Sequence, residues 1–275
     1  MNLDHHDLFA RFGLKWNPFA PQVPVSALWQ PAAIEQFCWR MQAQVREGGF
    51  ALITGEPGTG KSAALRVLAN QLGSIPDLRV LPITRPQSII SDFYRELGAL
   101  CGVTFNPHNR WAGFRILREI WLNHLQTTRM RPVLLIDEAQ QMQNAVLAEL
   151  RILASTEFDS KAIATIVLCG DQQLVQRFRS PELLPIASRI RVRLLLRNLE
   201  PKEMLDWLKY VLDQAGAPHL ITQEVMATLS QNNAGNLRAL ANSANELLAA
   251  AARKDLSQID EKLYLETFDR ARNPN

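Results

Sequence analysis

One eight-residue segment constrains the fold of this chain more than any other. Gly55-Glu56-Pro57-Gly58-Thr59-Gly60-Lys61-Ser62 matches the pattern G-x-x-x-x-G-K-[ST]. The segment follows an apolar run at residues 50–54 and opens a helix-forming stretch at residues 61–72. A glycine-rich turn between a buried strand and a helix lets backbone N–H groups surround nucleotide phosphates. The segment therefore predicts an α/β sheet with a nucleotide at one edge, whereas the alternative is an ordinary glycine turn.

Each part of this segment has an expected role. Lys61 reaches the β- and γ-phosphates, and the Ser62 hydroxyl binds Mg²⁺, while the surrounding backbone cradles the phosphates. ATP and Mg²⁺ are thus the predicted ligands. Together with a carboxylate described next, the predicted nucleotide-binding residues are Gly55, Glu56, Pro57, Gly58, Thr59, Gly60, Lys61, Ser62, Ala63 and Asp137.

Two adjacent carboxylates end a second apolar run. Residues 133–136 read Val-Leu-Leu-Ile and are followed by Asp137 and Glu138. With the phosphate-binding segment present, we expect Asp137 to hold Mg²⁺ and Glu138 to polarise the attacking water. The alternative is a strand that ends in two solvated acids. The sequence contains neither the N-K-x-D motif of GTPases nor the L-S-G-G-Q signature of ABC proteins, so ATP hydrolysis is favoured.

Apolar strand-like runs alternate with helical periodicity up to residue 198. Strands are predicted at 79–84, 133–136, 164–169 and 190–195, and helices at 34–47, 88–100, 111–125 and 145–153. This alternation predicts a parallel sheet covered by helices on both faces. Four helical stretches follow, at 201–215, 222–231, 236–253 and 261–272. The predicted domains are an arm (1–32), a nucleotide-binding domain (33–198) and a helical domain (199–275).

Three further residues, Asp171, Arg189 and Arg238, are candidates for contact with the nucleotide. Asp171, with Gln172 in reserve, lies at the tip of a strand and is expected to contact the γ-phosphate or the water, unless Gly170-Asp171 merely forms a turn. Arg189 belongs to a string of arginines and is the predicted arginine finger acting on a neighbouring subunit. Arg238 opens a helix and is expected to reach the γ-phosphate. The alternative for both arginines is an ordinary surface position.

Three further segments carry a family resemblance. The chain resembles the AAA+ ATPases, and within them the ExeA-type and TniB/TnsC-type transposition ATPases. Residues 12–19 look like the arm that opens ExeA-type proteins, residues 167–174 are similar to the sensor-1 strand, and residues 232–238 look like the sensor-2 helix start. The resemblance implies an AAA+ P-loop domain with a parallel sheet between helices, followed by a small all-helical lid.

The resemblance also implies a function in DNA transposition. Proteins of this type assemble on duplex DNA as homo-oligomeric rings or filaments and recruit or activate a transposase. The supporting arginines, Arg79, Arg85, Arg110, Arg115, Arg118, Arg129 and Arg131, outnumber nearby acids, although a solvated helix face gives the same pattern. The alternatives are an ATPase that acts on a protein or cell-envelope secretion assembly without DNA contact, and a nucleotide switch with little turnover.

Charge and hydropathy exclude some classes of protein. Thirty Lys and Arg against 27 Asp and Glu give a net charge of +3, which does not by itself indicate a nucleic-acid partner. No apolar run is long enough to span a membrane, and the N-terminus has no secretory signal, so we expect a cytoplasmic protein without membrane contact. Cys38, Cys101 and Cys169 are far apart in sequence and are predicted to be reduced core residues.

Overall fold

The computed structural model describes residues 11–83, 85, 86, 89–104, 110–158 and 160–272. Within these ranges the helices are α1 (Ala32–Glu47), α2 (Lys61–Gly73), α3 (Ile90–Cys101), α4 (Arg110–Thr127), α5 (Asn144–Leu153), α6 (Gln172–Arg177), α7 (Leu184–Ala187), α8 (Pro201–Ala215), α9 (Gln223–Asn232), α10 (Leu237–Arg253) and α11 (Glu261–Arg272). The strands are β1 (Gly49–Gly55), β2 (Leu78–Ile83), β3 (Arg131–Ile136), β4 (Ser155–Thr156), β5 (Lys161–Ala162), β6 (Thr165–Gly170) and β7 (Ile190–Leu196). Short 3-10 turns occupy Val25–Ala27 and Ala139–Gln141.

Among the described residues, five strands form a parallel sheet in the order β2-β3-β6-β1-β7. All six residues of β6 are buried, as are six of the seven in β1. A parallel strand is covered on both faces by the helices that connect it to its neighbours, so its sequence is a continuous apolar run. The predicted α/β fold with a parallel sheet between helices is confirmed.

Helices cover the two faces of the sheet in separate layers. Phe50, Leu52, Leu134 and Ile136 lie in one core cluster with residues of α3, α4, α5, α6 and α7. Because successive strand residues point to opposite faces, the residues between them face the other layer. That layer consists of α1, which contacts β1, β3 and β7, and α2, which contacts β1, β2 and β6. The carboxyl ends of all five strands therefore lie along one edge between two helical layers.

The edge strand β7 has a register irregularity and a strictly alternating pattern of burial. Its register against β1 shifts by one residue, so that Phe50 pairs with Ile190 but Ala51 pairs with Val192. Beyond the shift, Val192 and Leu194 are buried, whereas Arg193 and Leu195 are exposed. The string of arginines in β7 therefore follows the exposed positions of a half-covered edge strand.

The chain divides into two compact units. The second unit contains residues 30–56 and 61–196, and thus the whole five-stranded sheet. The first unit contains residues 57–60, residues 197–272 and the N-terminal segment 11–29. In this unit Phe12, Leu14 and Phe19 are buried in one cluster with residues of α8–α11, and Lys15 N donates to Ala215 O at 2.9 Å. The N-terminal segment, expected as a separate arm, thus shares a core with the C-terminal helices.

A salt bridge and a capping box fix the start of α8. Glu200 and Glu203 form the capping box, in which each side chain accepts from the backbone N–H of the other residue. Arg197 donates to both oxygens of Glu203 at 2.8 and 2.9 Å. The bonds from Arg197, followed by the backbone bond from Glu200, hold the pKa of the Glu203 carboxyl below its usual value.

The described residues also form a second, two-stranded sheet. The small antiparallel pair β4–β5 was not predicted from the sequence. None of the described helices combines the length and the apolar character needed to cross a membrane.

Candidate nucleotide-binding site

Lys61 is the first residue of α2, and its ammonium group turns back toward the end of β1. Its Nζ donates to the carbonyl oxygens of Gly55 at 2.9 Å and Glu56 at 3.1 Å. The residue is only 7% exposed. A buried ammonium group needs hydrogen-bond partners, and these two carbonyls supply them without neutralising its charge. The positive charge therefore remains available to an anion at the start of α2, where backbone N–H groups also favour negative charge.

Within the first unit, the turn Pro57–Gly60 contacts the start of α10. Asn236 caps α10 by accepting from Ala239 N at 3.0 Å, and its Nδ2 donates to Pro57 O at 2.8 Å. Gly58 has φ +87°, and a Cβ on it would lie 2.2 Å from Asn236 Oδ1. Glycine is therefore required at position 58 both by its backbone angle and by the close approach of Asn236.

Arg238 reaches the same turn through its backbone. Its N–H donates to Gly58 O at 3.2 Å, and its side chain is exposed. The expected contact between this guanidinium group and the γ-phosphate stays a prediction.

The two acidic residues follow β3 at the carboxyl edge of the sheet. Asp137 and Glu138 are both half-buried, and Asp137 Oδ1 accepts from Glu138 N at 2.9 Å. Glu138 has φ 52° and ψ 37°, the left-handed region that non-glycine residues rarely adopt. A strained backbone at the end of a buried strand is typical of a functional position. In the second unit, Lys61 and the two carboxylates thus follow β1 and β3, the strands on either side of β6.

Cys169 lies in β6, between the strand that precedes Asp137 and the strand that precedes Lys61. The sequence predicts it only as a core residue. It is fully buried in β6. Burial, followed by the charge and hydrogen bond of Asp137, raises the pKa of the thiol far above its usual value, while the charge of Lys61 acts in the opposite direction. Both Asp137 and Lys61 therefore lie close enough to act on the same sulfur atom. The sequence signal for this arrangement is the position of Cys169 directly before Gly170-Asp171.

Cys38 is also buried, and Cys101 is only half-buried. All three cysteines are free thiols, as expected. The expectation that all three belong to the core needs correction for Cys101, which lies at the end of α3.

Asp171 has a structural role in the turn after β6. Its Oδ1 accepts from Gln173 N at 2.9 Å, so it caps the N-terminus of α6, and Gln172 is exposed. This geometry is the Gly-Asp turn, the alternative to a phosphate contact for this residue. A contact of Asp171 with phosphate or water stays a prediction.

Arg177 is a structural arginine that ties α6 to the turn after Glu138. Its guanidinium group donates to Gln140 O at 2.6 Å and Met142 O at 2.7 Å, and it also bonds Asn144 Oδ1. Planar guanidinium groups suit several acceptors held at fixed positions. Arg177 therefore fixes the segment that follows the carboxylates.

Three further arginines, Arg189, Arg191 and Arg193, have partners within the second unit. Arg191 pairs with Glu47 at 2.9 Å, and Arg193 donates to Ala187 O at 3.3 Å. Arg189 precedes β7 and bonds the carbonyl of Pro185. Its action in a neighbouring subunit stays a prediction.

Three of the arginines expected to bind DNA lie near the ends of strands. Arg79 donates to Leu100 O at 2.6 Å and Arg131 to Ala162 O at 3.4 Å. Both lie at the amino ends of their strands, whereas Arg85 follows the carboxyl end of β2 and is exposed. The side chain of Arg110 lies outside the described residues. Arg79 and Arg131 thus lie at one edge of the sheet, and Arg85 lies at the opposite edge.

The sequence of this chain matches a protein family model and is similar to a secretion protein. Residues 44–178 match the AAA domain family. General secretion pathway protein A of Aeromonas hydrophila is 33% identical over 192 residues, which cover 68% of this chain and 34% of that protein. This chain thus spans about a third of that relative's length.

Two similar solved structures come from Aeropyrum pernix. The ORC2 protein in ADPNP and ADP complexes has a TM-score of 0.70 at 12% identity, with 92% of this chain and 71% of that chain covered. The ORC1 protein in complex with DNA has a TM-score of 0.68 at 16% identity, with 93% and 68% covered. The narrower resemblance to transposition ATPases stays a prediction. The described residues have the α/β P-loop fold of AAA+ ATPases, with a five-stranded parallel sheet flanked by helices.

Proposed function

We propose that this chain is a Mg²⁺-dependent ATPase. One observation carries the proposal: the buried Lys61 ammonium and the Asp137–Glu138 pair follow β1 and β3, the strands on either side of β6, at the carboxyl edge of one parallel sheet. A phosphate-binding lysine and a metal-binding carboxylate at one sheet edge are the groups that phosphoryl transfer from a nucleotide requires.

The residues present fit ATP and Mg²⁺. The turn from Gly55 to Ala63 offers backbone N–H groups and Lys61, and the exposed Ser62 hydroxyl with the half-buried Asp137 carboxylate offers the oxygen ligands that Mg²⁺ prefers. Bound Mg²⁺ supplies charge neutralisation at the phosphate oxygens. Glu138 orients and deprotonates water from the position after Asp137, and Arg189 and Arg238 supply positive charge to the γ-phosphate.

The test is steady-state phosphate release by the full chain in Mg-ATP. We expect Lys61→Ala to lose binding of a fluorescent ATP analogue, and Glu138→Gln to retain binding while phosphate release falls by at least about 100-fold. Lys202→Ala, an exposed lysine near the start of α8, is the matched control. Absence of phosphate release from the wild type, with the analogue bound, would show a nucleotide switch instead of an ATPase.

The partner of this ATPase is proposed from sequence similarity. The 33% identity to general secretion pathway protein A favours ATP-driven work on a protein or cell-envelope assembly. That similarity covers more than half of this chain, whereas the DNA proposal depends on short segments and a divided set of arginines. Action on a protein assembly is therefore the first candidate.

DNA transposition is the second candidate. The resemblance of the chain to TniB/TnsC-type transposition ATPases supports this candidate, and Arg85, Arg115 and Arg129 are exposed. In this candidate the chain forms a homo-oligomeric ring or filament on duplex DNA and recruits or activates a transposase.

Fluorescence anisotropy with a labelled duplex and a non-hydrolysable ATP analogue separates the two candidates. The DNA candidate predicts binding that requires nucleotide, falls steeply with salt and weakens in an Arg85→Ala/Arg115→Ala variant. Lack of nucleotide-dependent binding at low salt, with phosphate release intact, would leave the protein-assembly candidate.

A further inference from the structure

A glutamine two residues after Glu138 contacts its side chain. Gln140 Nε2 donates to Glu138 Oε2 at 2.5 Å, and both residues are half-buried. The nitrogen must face the carboxylate, since the amide oxygen would be repelled by it. One carboxylate oxygen of Glu138 is therefore fixed by an amide, and the second is left for another donor.

The other end of this amide lies in an enclosed space. Gln140 Oε1 is buried and has no hydrogen-bond partner among the described residues. A Cβ on Gly170 would lie 2.7 Å from this oxygen and 2.8 Å from Leu174 Cδ2. Glycine at the end of β6 thus makes the room that the Gln140 side chain occupies. An unsatisfied buried acceptor is destabilising, so its presence beside a reactive carboxylate calls for a functional reason.

The backbone of the same turn is fixed independently. Arg177 donates to Gln140 O at 2.6 Å and to Met142 O at 2.7 Å. The turn Ala139–Gln141 is therefore tied to α6, and the Gln140 side chain extends from an anchored backbone. An anchored donor restricts the carboxylate that it contacts to a narrow range of orientations.

We propose that Gln140 is a positioning residue that orients the Glu138 carboxylate for water activation. This inference rests on the proposed ATPase function. Gln140 touches neither phosphate nor water in this role: its amide holds Oε2 so that Oε1 of Glu138 points to the water. Gly170 belongs to the same device because its missing side chain leaves space for the amide.

The test compares four variants of the full chain by kcat and KM for Mg-ATP. Gln140→Met and Gln140→Glu keep the length of the side chain but remove the donor, and Gln140→Glu also places a second carboxylate against Glu138. Gln140→His restores an N–H donor. Gln143→Glu, an exposed position three residues later, is the matched control for the added charge.

We expect Gln140→Met and Gln140→Glu to lower kcat by at least about tenfold, the effect of losing a hydrogen bond to a charged group. KM and the affinity for an ATP analogue should stay within about twofold of the wild type, since the phosphate-binding residues are unchanged. Gln140→Glu should be the slower of the two, and Gln140→His should recover part of the loss.

A packing role would leave Gln140→Glu, which has nearly the same shape, at wild-type kcat, and that result overturns the inference. A rise in KM that accounts for the lost activity overturns it as well, because the residue would then serve binding. Failure of the wild type to release phosphate overturns the proposed function, and the inference falls with it.

Discussion

Removal of the Arg177 guanidinium group should destabilise the second unit. Arg177→Ala deletes the donors to Gln140 O and Met142 O, at 2.6 and 2.7 Å, and the bond to Asn144 Oδ1. A hydrogen bond with a charged partner contributes about 1.5–3 kcal/mol. Arg177 is half-buried, so water replaces part of these bonds, and the equivalent of two of the three bonds at the lower end of that range gives a loss of about 3 kcal/mol for the cluster. This corresponds to a melting temperature lower by about 6–12 °C.

Thermal unfolding followed by circular dichroism measures this loss, and hydrogen–deuterium exchange of peptides covering residues 138–153 locates it. Arg179→Ala, an exposed arginine two residues later, is the matched control and should change stability by less than about 0.5 kcal/mol. Arg177→Lys should recover only part of the loss because an ammonium group lacks the planar fork. Equal melting temperatures for Arg177→Ala and Arg179→Ala would refute the reasoning.

Three other perturbations test separate features of the molecule. Gly58→Ala should weaken binding of an ATP analogue strongly, since the residue has φ +87° and a Cβ would lie 2.2 Å from an Asn236 oxygen; analogue titration checks this, and normal affinity would contradict it. Arg189→Ala should bind ATP but lose phosphate release, and mixing it with Lys61→Ala should restore activity only if the site is completed between subunits. Burial raises the pKa of Cys38 to about 11, so at pH 8 only about one thiol in a thousand is ionised there and alkylation, read by mass spectrometry, should label the half-buried Cys101 first. Labelling of Cys38 at the rate of Cys101 would contradict that order.

The periodicity of apolar residues was sufficient to predict the main elements of the fold. Each strand of the five-stranded sheet was predicted, because buried parallel strands are continuous apolar runs bounded by turns. The β4–β5 pair was missed because each strand has two residues and its turn uses Glu157 and Phe158, both at positive φ, instead of glycine or asparagine. Two-residue strands leave no periodic signal.

Spacing along the chain is sufficient to propose residues for the site, but it does not show contacts that depend on how strands pair. The Lys61 and Asp137 roles follow from motifs attached to single strands. The contact between Gln140 and Glu138 is local in sequence, but the space that Gly170 leaves for the Gln140 amide depends on the ends of β3 and β6 meeting across the sheet, which no local pattern encodes. The placement of Arg79 and Arg85 near opposite ends of β2, by contrast, follows from the strand predicted at 79–84.

The two outer strands of the sheet also determine how the protein behaves at high concentration. An open strand edge is a template on which strands of other molecules can add. Along β7 a register shift and the exposed guanidinium groups of Arg191 and Arg193 interrupt that template, and in β2 Pro82 has no amide hydrogen to donate. A foreign strand would have to bury charge at one edge and lose a bond at the other. The exposed arginines of β7 thus disfavour the addition of a foreign strand, which is a physical effect independent of catalysis.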